Sequence, residues 1–303
     1  MYMQKSVLVT GSSGFIGSRL TEALRGKGYN IVEFDAKNGN DLLSYEDCRN
    51  ASRNCFAVVH CAAILDEHSK ALWKVNVLGT ENIIKASSEN KVERFIFLST
   101  AGVYGNVKGI ADENTEKRPA TKYEKSKARA EEIVESYQEL IHITILRPAI
   151  VLGPNEYWRK IVKQVKKGFP LIGSGKNKWH AVYVDDVVDA IIFCLENENT
   201  ASETLNVAAS DVLSLEQLVL EIKKCLGLEP KVRKIPVWLG KLIAHLYITF
   251  SSKPIVTPEH VERLVRNRHY SIKKIKKLGW KPKVSTKEAI ERTIDGLKIS
   301  FNK

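Results

Sequence analysis

Tyrosine followed four residues later by lysine occurs three times in this chain, at Tyr104/Lys108, Tyr123/Lys127 and Tyr270/Lys274. A free phenol ionises near pH 10, about three units too high for a base at neutral pH, and a cation one helical turn away brings it down. The spacing places both side chains on one face only if the segment is helical. Tyr123/Lys127 meets that condition, because it opens the helix-like run Lys125-Ser-Lys-Ala-Arg-Ala-Glu-Glu-Ile-Val134. Tyr104 sits in a Val-Tyr-Gly turn and reads as packing or a substrate wall, while Tyr270 opens a basic stretch and reads as surface. Thr100 ends the strand-like run before Tyr123 and can hydrogen-bond a substrate oxygen as charge shifts onto it. Together Tyr123, Lys127 and Thr100 suit proton transfer during oxidation of a secondary alcohol or reduction of a ketone.

A second constellation lies at the start. Val7-Leu-Val-Thr-Gly-Ser-Ser-Gly-Phe-Ile-Gly17 runs from a strand into a helix, with glycines at 11, 14 and 17. Glycines at these places allow a tight turn and close backbone approach, so a pyrophosphate can rest on the helix N-terminus. Gly11, Ser13, Gly14, Phe15, Ile16 and Gly17 are therefore candidate dinucleotide contacts. Asp35 ends the next strand, 18 residues past Gly17, where a carboxylate accepts from ribose hydroxyls and repels a 2′-phosphate. That favours NAD over NADP, although Lys37 lies close by in sequence.

The elements that must position these residues follow from pattern. Lys5–Thr10, Asn30–Asp35, Phe56–Ala62, Arg94–Thr100 and His142–Arg147 are short apolar runs bounded by turn residues. Ile16–Gly26, Trp73–Glu89 and Lys122–Leu140 between them read as helices. This alternation predicts an α/β fold, a Rossmann-type doubly wound parallel sheet that binds ligands beyond its strand carboxyl ends. After Pro148 helices dominate, with capping boxes at Ser214/Gln217 and Ser285/Glu288 and short strands at Ala181–Val184 and Thr204–Val207. The expected division is a nucleotide-binding domain over 1–150, with a return segment near 178–197, and a smaller, mostly helical substrate region over 151–303.

Composition narrows the class. Five scattered cysteines, with no C-x-x-C pair and no histidine cluster, point to reduced thiols, a cytoplasmic setting and no structural metal. The first strand begins too near the N-terminus to leave room for a signal peptide. From Lys223 onward 20 Lys/Arg face 6 Asp/Glu, a balance of +14, which leaves −2 for the first 222 residues. Lys273, Lys274, Lys276 and Lys277 read as a solvated helix face, and no aromatic-and-basic nucleic-acid motif stands out. The apolar run Val237–Phe250, interrupted by Lys241 and His245, is too short to span a membrane. It reads as a core helix in preference to one touching a membrane surface.

The motifs taken together resemble the extended short-chain dehydrogenase/reductase family, which includes nucleotide-sugar epimerases and dehydratases. The likeness rests on Thr10-Gly-Ser-Ser-Gly-Phe-Ile-Gly17, Asp41-Leu42, His60-Cys-Ala-Ala63, Asn76-Val-Leu-Gly-Thr80, Leu98-Ser-Thr-Ala-Gly-Val-Tyr-Gly105, Tyr123-Glu-Lys-Ser-Lys127 and Leu146-Arg-Pro148. Tyr183-Val-Asp-Asp-Val187 and Leu278-Gly-Trp-Lys-Pro282 extend it over nearly the whole chain. The resemblance implies that Asp41 and Leu42 flank the adenine and that Cys61, Ala62 and Ala63 line the cofactor cleft, Cys61 chiefly as packing. It implies that Lys127 holds the nicotinamide ribose, that the backbone after Pro148, at Ile150, meets the carboxamide, and that Ser99 and Asn76 belong to the cofactor surroundings, Asn76 as framework. A homodimer built on the helices of Trp73–Glu89 and Lys122–Leu140 is a further implication. Nucleotide-sugar members carry a diphosphate-gripping arginine where this chain reads Trp179-His-Ala-Val-Tyr-Val184. Leu146-Arg-Pro148 with Ile235-Pro-Val-Trp-Leu-Gly240 is similar to the 3β-hydroxysteroid dehydrogenase and dihydroflavonol reductase branches. The substrate classes left open are a nucleotide sugar and an apolar hydroxy or keto compound. A non-catalytic dinucleotide sensor or nucleic-acid binder is a third reading, against which the Tyr/Lys/Thr set stands.

Overall fold

Strand residues that alternate between two apolar sets need cover on both sides, and that is how the sheet is built. The computed structural model describes residues 4–250 and 257–298. β1 (Ser6–Thr10), β2 (Asn30–Phe34), β3 (Ala57–His60), β4 (Arg94–Leu98) and β5 (His142–Pro148) pair in parallel, and β10 (Glu203–Val207) joins β5. The spatial order is β2-β1-β3-β4-β5-β10, so the order reverses between β1 and β3. Val7, Val9, Ala57, Val59, Ile96 and Leu146 share one apolar cluster with α1 (Gly17–Gly26) and α6 (Val184–Glu196). Leu8, Val58, Phe95, Phe97, Ile143 and Ile145 share another with α2 (Tyr45–Ser52), α3 (Gly79–Glu89) and α4 (Lys122–Glu135). Burying each such side chain contributes about 1.5–3 kcal/mol, which makes the doubly covered sheet the rigid platform of the molecule.

The remaining elements build a second layer beside the strand ends. β6 (Ile150–Leu152) pairs with β9 (Ala181–Tyr183), β7 (Leu171–Ile172) with β12 (Lys234–Ile235), and β8 (Lys178–Trp179) with β11 (Leu213–Ser214). α5 (Glu156–Lys166), α7 (Leu215–Cys225) and α11 (Thr286–Gly296) enclose Trp158, Leu218, Ile222, Ile290 and Ile294. α9 (Pro258–Val265) packs on α8 (Val237–Phe250), and α10 (Lys273–Lys277) lies against β10. Asp186 of α6 accepts from the Lys283 and Val284 N–H groups at 3.0 Å, and Asp189 from Trp280 Nε1 at 3.0 Å. These bonds explain why the Asp-Asp and Leu-Gly-Trp motifs occur in one chain: they staple the late segment to the sheet-covering helix.

Four sequence expectations are corrected. α4 stops at Glu135, because Gln138, Glu139 and Leu140 have no apolar surface to meet, and residues 136–140 form turns. The helix expected over Trp73–Glu89 opens with a π-helical turn at Lys74–Leu78 before α3. Tyr270 is buried, not surface, stacked on His180 at an interplanar angle of 8°. α8 is not a core helix: its inward stripe of Gly240 and Ala244 is so small that the helix packs on Ile172 and Val261, leaving Trp238, Leu242, Ile243 and Leu246 in solvent. Of the α10 lysines, Lys273 and Lys277 are exposed as expected, whereas Lys274 and Lys276 flank buried Ile275 and are half-buried, Lys274 ion-paired to Glu203.

Candidate active site

The loop after β1 turns back sharply because Gly11 has φ +69°, and a Cβ there would lie 2.8 Å from the Ala62 backbone. A Cβ on Gly17 would lie 2.1 Å from the Gly11 carbonyl, so α1 begins directly beneath the turn. No side chain caps the N-terminus of α1, which leaves N–H groups of its first turn for an anionic ligand. Ser12 Oγ is enclosed nearby without a partner. Gly11 follows β1 and Ala62 follows β3, so the loop occupies the crevice where strand order reverses. Asp35 Oδ2 accepts from the Ser13 N–H at 3.0 Å, which sets a carboxylate beside the loop, while the Lys37 side chain is exposed. The cradle fits a dinucleotide, and Asp35 fits unphosphorylated ribose.

Framework residues hold the far wall. His60 is fully buried between Thr10 Oγ1 at 2.6 Å and Thr80 Oγ1 at 3.0 Å, and burial keeps its pKa well below the ordinary value. Cys61 follows it, with its thiol pushed up to about 12 by burial, which suits packing and not reactivity. Ala62 N donates to Thr10 Oγ1 at 3.3 Å. Asn76, in the π-turn, bonds both the N–H and the carbonyl of Ile64, at 2.8 and 3.0 Å, and donates to Ser126 Oγ at 3.0 Å. Its amide thereby ties the chain after β3 to α4. Leu42 is buried against Gly79 in the cluster under α2 and α3, and exposed Asp41 accepts from Leu43 N at 2.9 Å.

α4 starts with a capping box: Glu124 N–H is accepted by Thr121 Oγ1 at 3.2 Å, and Glu124 Oε2 accepts from Thr121 N at 3.0 Å. Gly102 is wedged between Glu124 and Thr100, which brings the end of β4 to the start of α4. Tyr123 is half-buried, and burial, with Glu124 adding and Arg263 opposing, pushes its phenol up to about 12. Lys127 is 1% exposed, with its Nζ 3.9 Å from the Phe97 ring centroid. Burial pulls that amine down to about 7, against Glu131 and Cys61. Without ligand, burial thus raises the phenol and lowers the amine, while the expected lowering of Tyr123 calls on the positive nicotinamide ring together with Lys127.

Ser99, expected beside the cofactor, turns its hydroxyl inward to Glu131 Oε1 at 2.6 Å. Glu131 also takes Arg147 Nε at 2.9 Å, Arg147 Nη2 at 2.7 Å and Lys117 Nζ at 3.1 Å. Arg147 Nη1 reaches Tyr104 OH, which donates to Asn206 Oδ1, each at 2.8 Å. This buried network makes Tyr104 a packing residue. Pro148 ends β5, and the Ile150 N–H is taken by His180 O at 3.3 Å. The pattern marked His60 and Arg147 only as parts of motifs and gave no sign of what they pair with, since their partners are distant in sequence.

One cation stands apart. Arg268 pairs by a β-bridge with Trp179 and lies over its ring, guanidinium carbon 4.9 Å from the centroid. Its Nη1 is enclosed and meets no acceptor. Burial lowers its pKa, and Arg263 and Arg266 add to the shift. Those two are neutralised, Arg266 by Glu124 at 3.0 Å and Arg263 by Glu67 at 3.3 Å.

The family model described as NAD dependent epimerase/dehydratase matches residues 7–208, from the glycine-loop strand to just past β10. The chain belongs to the NAD dependent epimerase/dehydratase family. As a member it is an NAD-dependent enzyme. It is 30% identical to a UDP-glucose 4-epimerase of Vibrio cholerae, over 96% of this chain and 95% of that one. It is 28% identical to an N-acetyl-alpha-D-glucosaminyl-diphospho-ditrans,octacis-undecaprenol 4-epimerase of Escherichia coli O157:H7, over 96% and 95%. The fold superposes on a UDP-glucose 4-epimerase of Thermotoga maritima solved with UDP-glucose, TM-score 0.77 and 24% identity, covering 96% of this chain and 98% of that one.

Proposed function

We propose that this family member oxidises and re-reduces a secondary alcohol carbon of a sugar held through a diphosphate, as an epimerase or dehydratase of a nucleotide sugar. The observation that carries the reading is Arg268. A buried guanidinium N–H without an acceptor costs about 1–3 kcal/mol, which an anionic ligand group would offset. Arg268 lies on Trp179, the position where nucleotide-sugar relatives keep their arginine, so the cation reaches the same place from another segment. NAD, when bound, supplies the hydride acceptor and a positive ring. Tyr123 takes the proton from the substrate hydroxyl and returns it to the ketone oxygen, Lys127 beneath it tunes and orients, and Thr100 donates to the same oxygen. Residues 1–150 with 178–197 hold the cofactor in this reading, and 151–303 the sugar and its carrier.

Trp73 and Leu78 are 51% and 45% exposed at the start of the α3 region, which supports a homodimer through α3 and α4. Free cysteines among the described residues suit a cytoplasmic setting.

The test is to denature the purified protein, identify the released dinucleotide, and then measure thermal shifts with UDP-, GDP- and dTDP-sugars. Retained NAD and a sugar-nucleotide shift that is lost in Arg268→Met are expected. Binding of added NAD(P) with no response to any sugar would replace this reading with a dehydrogenase of an apolar alcohol or ketone.

A further inference from the structure

The residue after Tyr123 is a carboxylate, and its partners join the two layers of the fold. Glu124 Oε2 accepts from Ala120 N at 2.9 Å and Thr121 N at 3.0 Å. Arg266 Nη1 donates to Glu124 Oε1 at 3.0 Å and to Oε2 at 3.1 Å. The two side chains are 9% and 12% exposed, so water screens the pair weakly. A Cβ on Gly102 would lie 3.1 Å from Glu124 Cγ and 3.2 Å from Thr100 Oγ1, which sets the same side chain close to the threonine as well.

Arg266 comes to this carboxylate from the second layer. α9 ends at Val265, and side chains from the β8 segment take up its orphan carbonyls. Asn177 Nδ2 donates to Leu264 O and Arg266 O at 2.9 Å each, and Trp179 Nε1 to Leu264 O at 3.2 Å. Arg268 N donates to Lys178 O at 2.8 Å. The backbone around Arg266 is thereby fixed to β8, and its side chain is a strut from there to the start of α4. The charges around the Tyr123 phenol are Glu124 and Lys127 on its own helix and Arg263 on α9, the last paired with Glu67. Burial raises the phenol, Glu124 adds to that and Arg263 opposes it. A phenol that passes through its anion in each turnover is hindered by a bare carboxylate one residue away.

We propose that Arg266 is a positioning residue for the reaction: from the substrate region it balances the charge of Glu124 and fixes that carboxylate beside Tyr123 and Thr100. It acts through Glu124 and not on the substrate, since its Nη1 is already spent on both carboxylate oxygens. The inference rests on Tyr123 as the proton carrier and does not depend on which sugar is bound.

The test follows the near-ultraviolet phenolate absorbance of the full chain as pH rises, with NAD in excess and the Tyr123→Phe form of each protein subtracted. Subtraction is needed because buried Tyr270 also feels Glu124 and Arg266. Arg266→Met leaves the carboxylate bare and should raise the Tyr123 midpoint by about one pH unit. Glu124→Gln keeps an acceptor for Thr121 N but leaves the guanidinium bare, and should lower the midpoint by a similar amount. The double variant removes both charges and should return the midpoint close to wild type, which a purely structural role does not do, because packing is then altered twice. Arg266→Lys keeps the charge and should keep the midpoint. A midpoint unmoved by Glu124→Gln, one moved the same way by both single variants, or a double variant displaced as far as Arg266→Met overturns the proposal. If Arg266→Met does not fold, Glu124→Gln and Arg266→Lys decide alone: a lowered midpoint in the first and an unchanged one in the second support it, and any other pair of results overturns it. Sugar-nucleotide thermal shifts of the same proteins report on the proposed substrate, so a phenol that follows these charges without any sugar response leaves Arg266 in its role and removes only the sugar.

Discussion

Tyr123 and Lys127 illustrate how far a residue's chemistry depends on what surrounds it. Without ligand the phenol is held up at about 12 and the amine pulled down to about 7, both chiefly by burial. Tyr123→Phe removes the proton carrier and leaves the crevice shape intact. Turnover is expected to fall about 100- to 10,000-fold with NAD content unchanged, as steady-state rates and dinucleotide release would show. Lys127→Met has a signature in stability as well. A lysine whose folded pKa is depressed releases its proton in the folded chain while the unfolded chain still holds one. Stability of the wild type should therefore rise with pH from about 7 toward the ordinary lysine value relative to Lys127→Met, measured by urea midpoints at each pH. An unchanged difference between the two proteins across that range would show that Lys127 is charged in the unliganded fold.

At the scale of elements, α4 is held to β5 by a charge pair hidden from water. Burial alone would raise the Glu131 pKa, but Arg147, Ser99 and Lys117 overcome it and bring it below the ordinary value. A depressed carboxylate contributes stability that is present above its unfolded pKa and lost as pH falls through the folded one. Glu131→Ala leaves Arg147, 3% exposed, without its counter-charge, and a loss of about 3–5 kcal/mol is expected from urea unfolding at neutral pH. The turn from β1 to α1 makes a separate demand. Gly17→Ala would drive a methyl to within 2.1 Å of the Gly11 carbonyl, forcing the loop away from the α1 N-terminus. NAD affinity should drop about tenfold or more in a titration, with the sheet still folded.

For the whole molecule, the exposed Leu78 and the surfaces of α3 and α4 set the expected assembly. Gel filtration at micromolar concentration should give a dimer, and Leu78→Glu a monomer, because a charge at the centre of an apolar contact is costly to desolvate. A wild-type monomer would remove the homodimer from the reading. The fold was legible at this scale because βαβ alternation leaves few arrangements once the strands are parallel. The second layer was less legible. Its two-residue strands β7, β8, β11 and β12 carry no periodic signal, and α8 is an apolar run interrupted by Lys241 and His245, a pattern that does not distinguish it from a core helix.

Local order in the chain was enough to determine the glycine turn, the carboxylate at the end of β2 and the Tyr123/Lys127 spacing, because each depends on residues a few positions apart. The six sheet strands were also readable, as were α1, α3 and α4 though not the short α2, since a strand buried on both faces has to be short and apolar. Only the tertiary structure decided what these parts meet. It turned Ser99 inward to Glu131, buried Tyr270 on His180, laid Arg268 over Trp179 and left Trp238 in solvent. Each of those outcomes joins segments far apart in sequence or depends on which face finds a neighbour, and burial and pairing of that kind are properties of the packed chain alone.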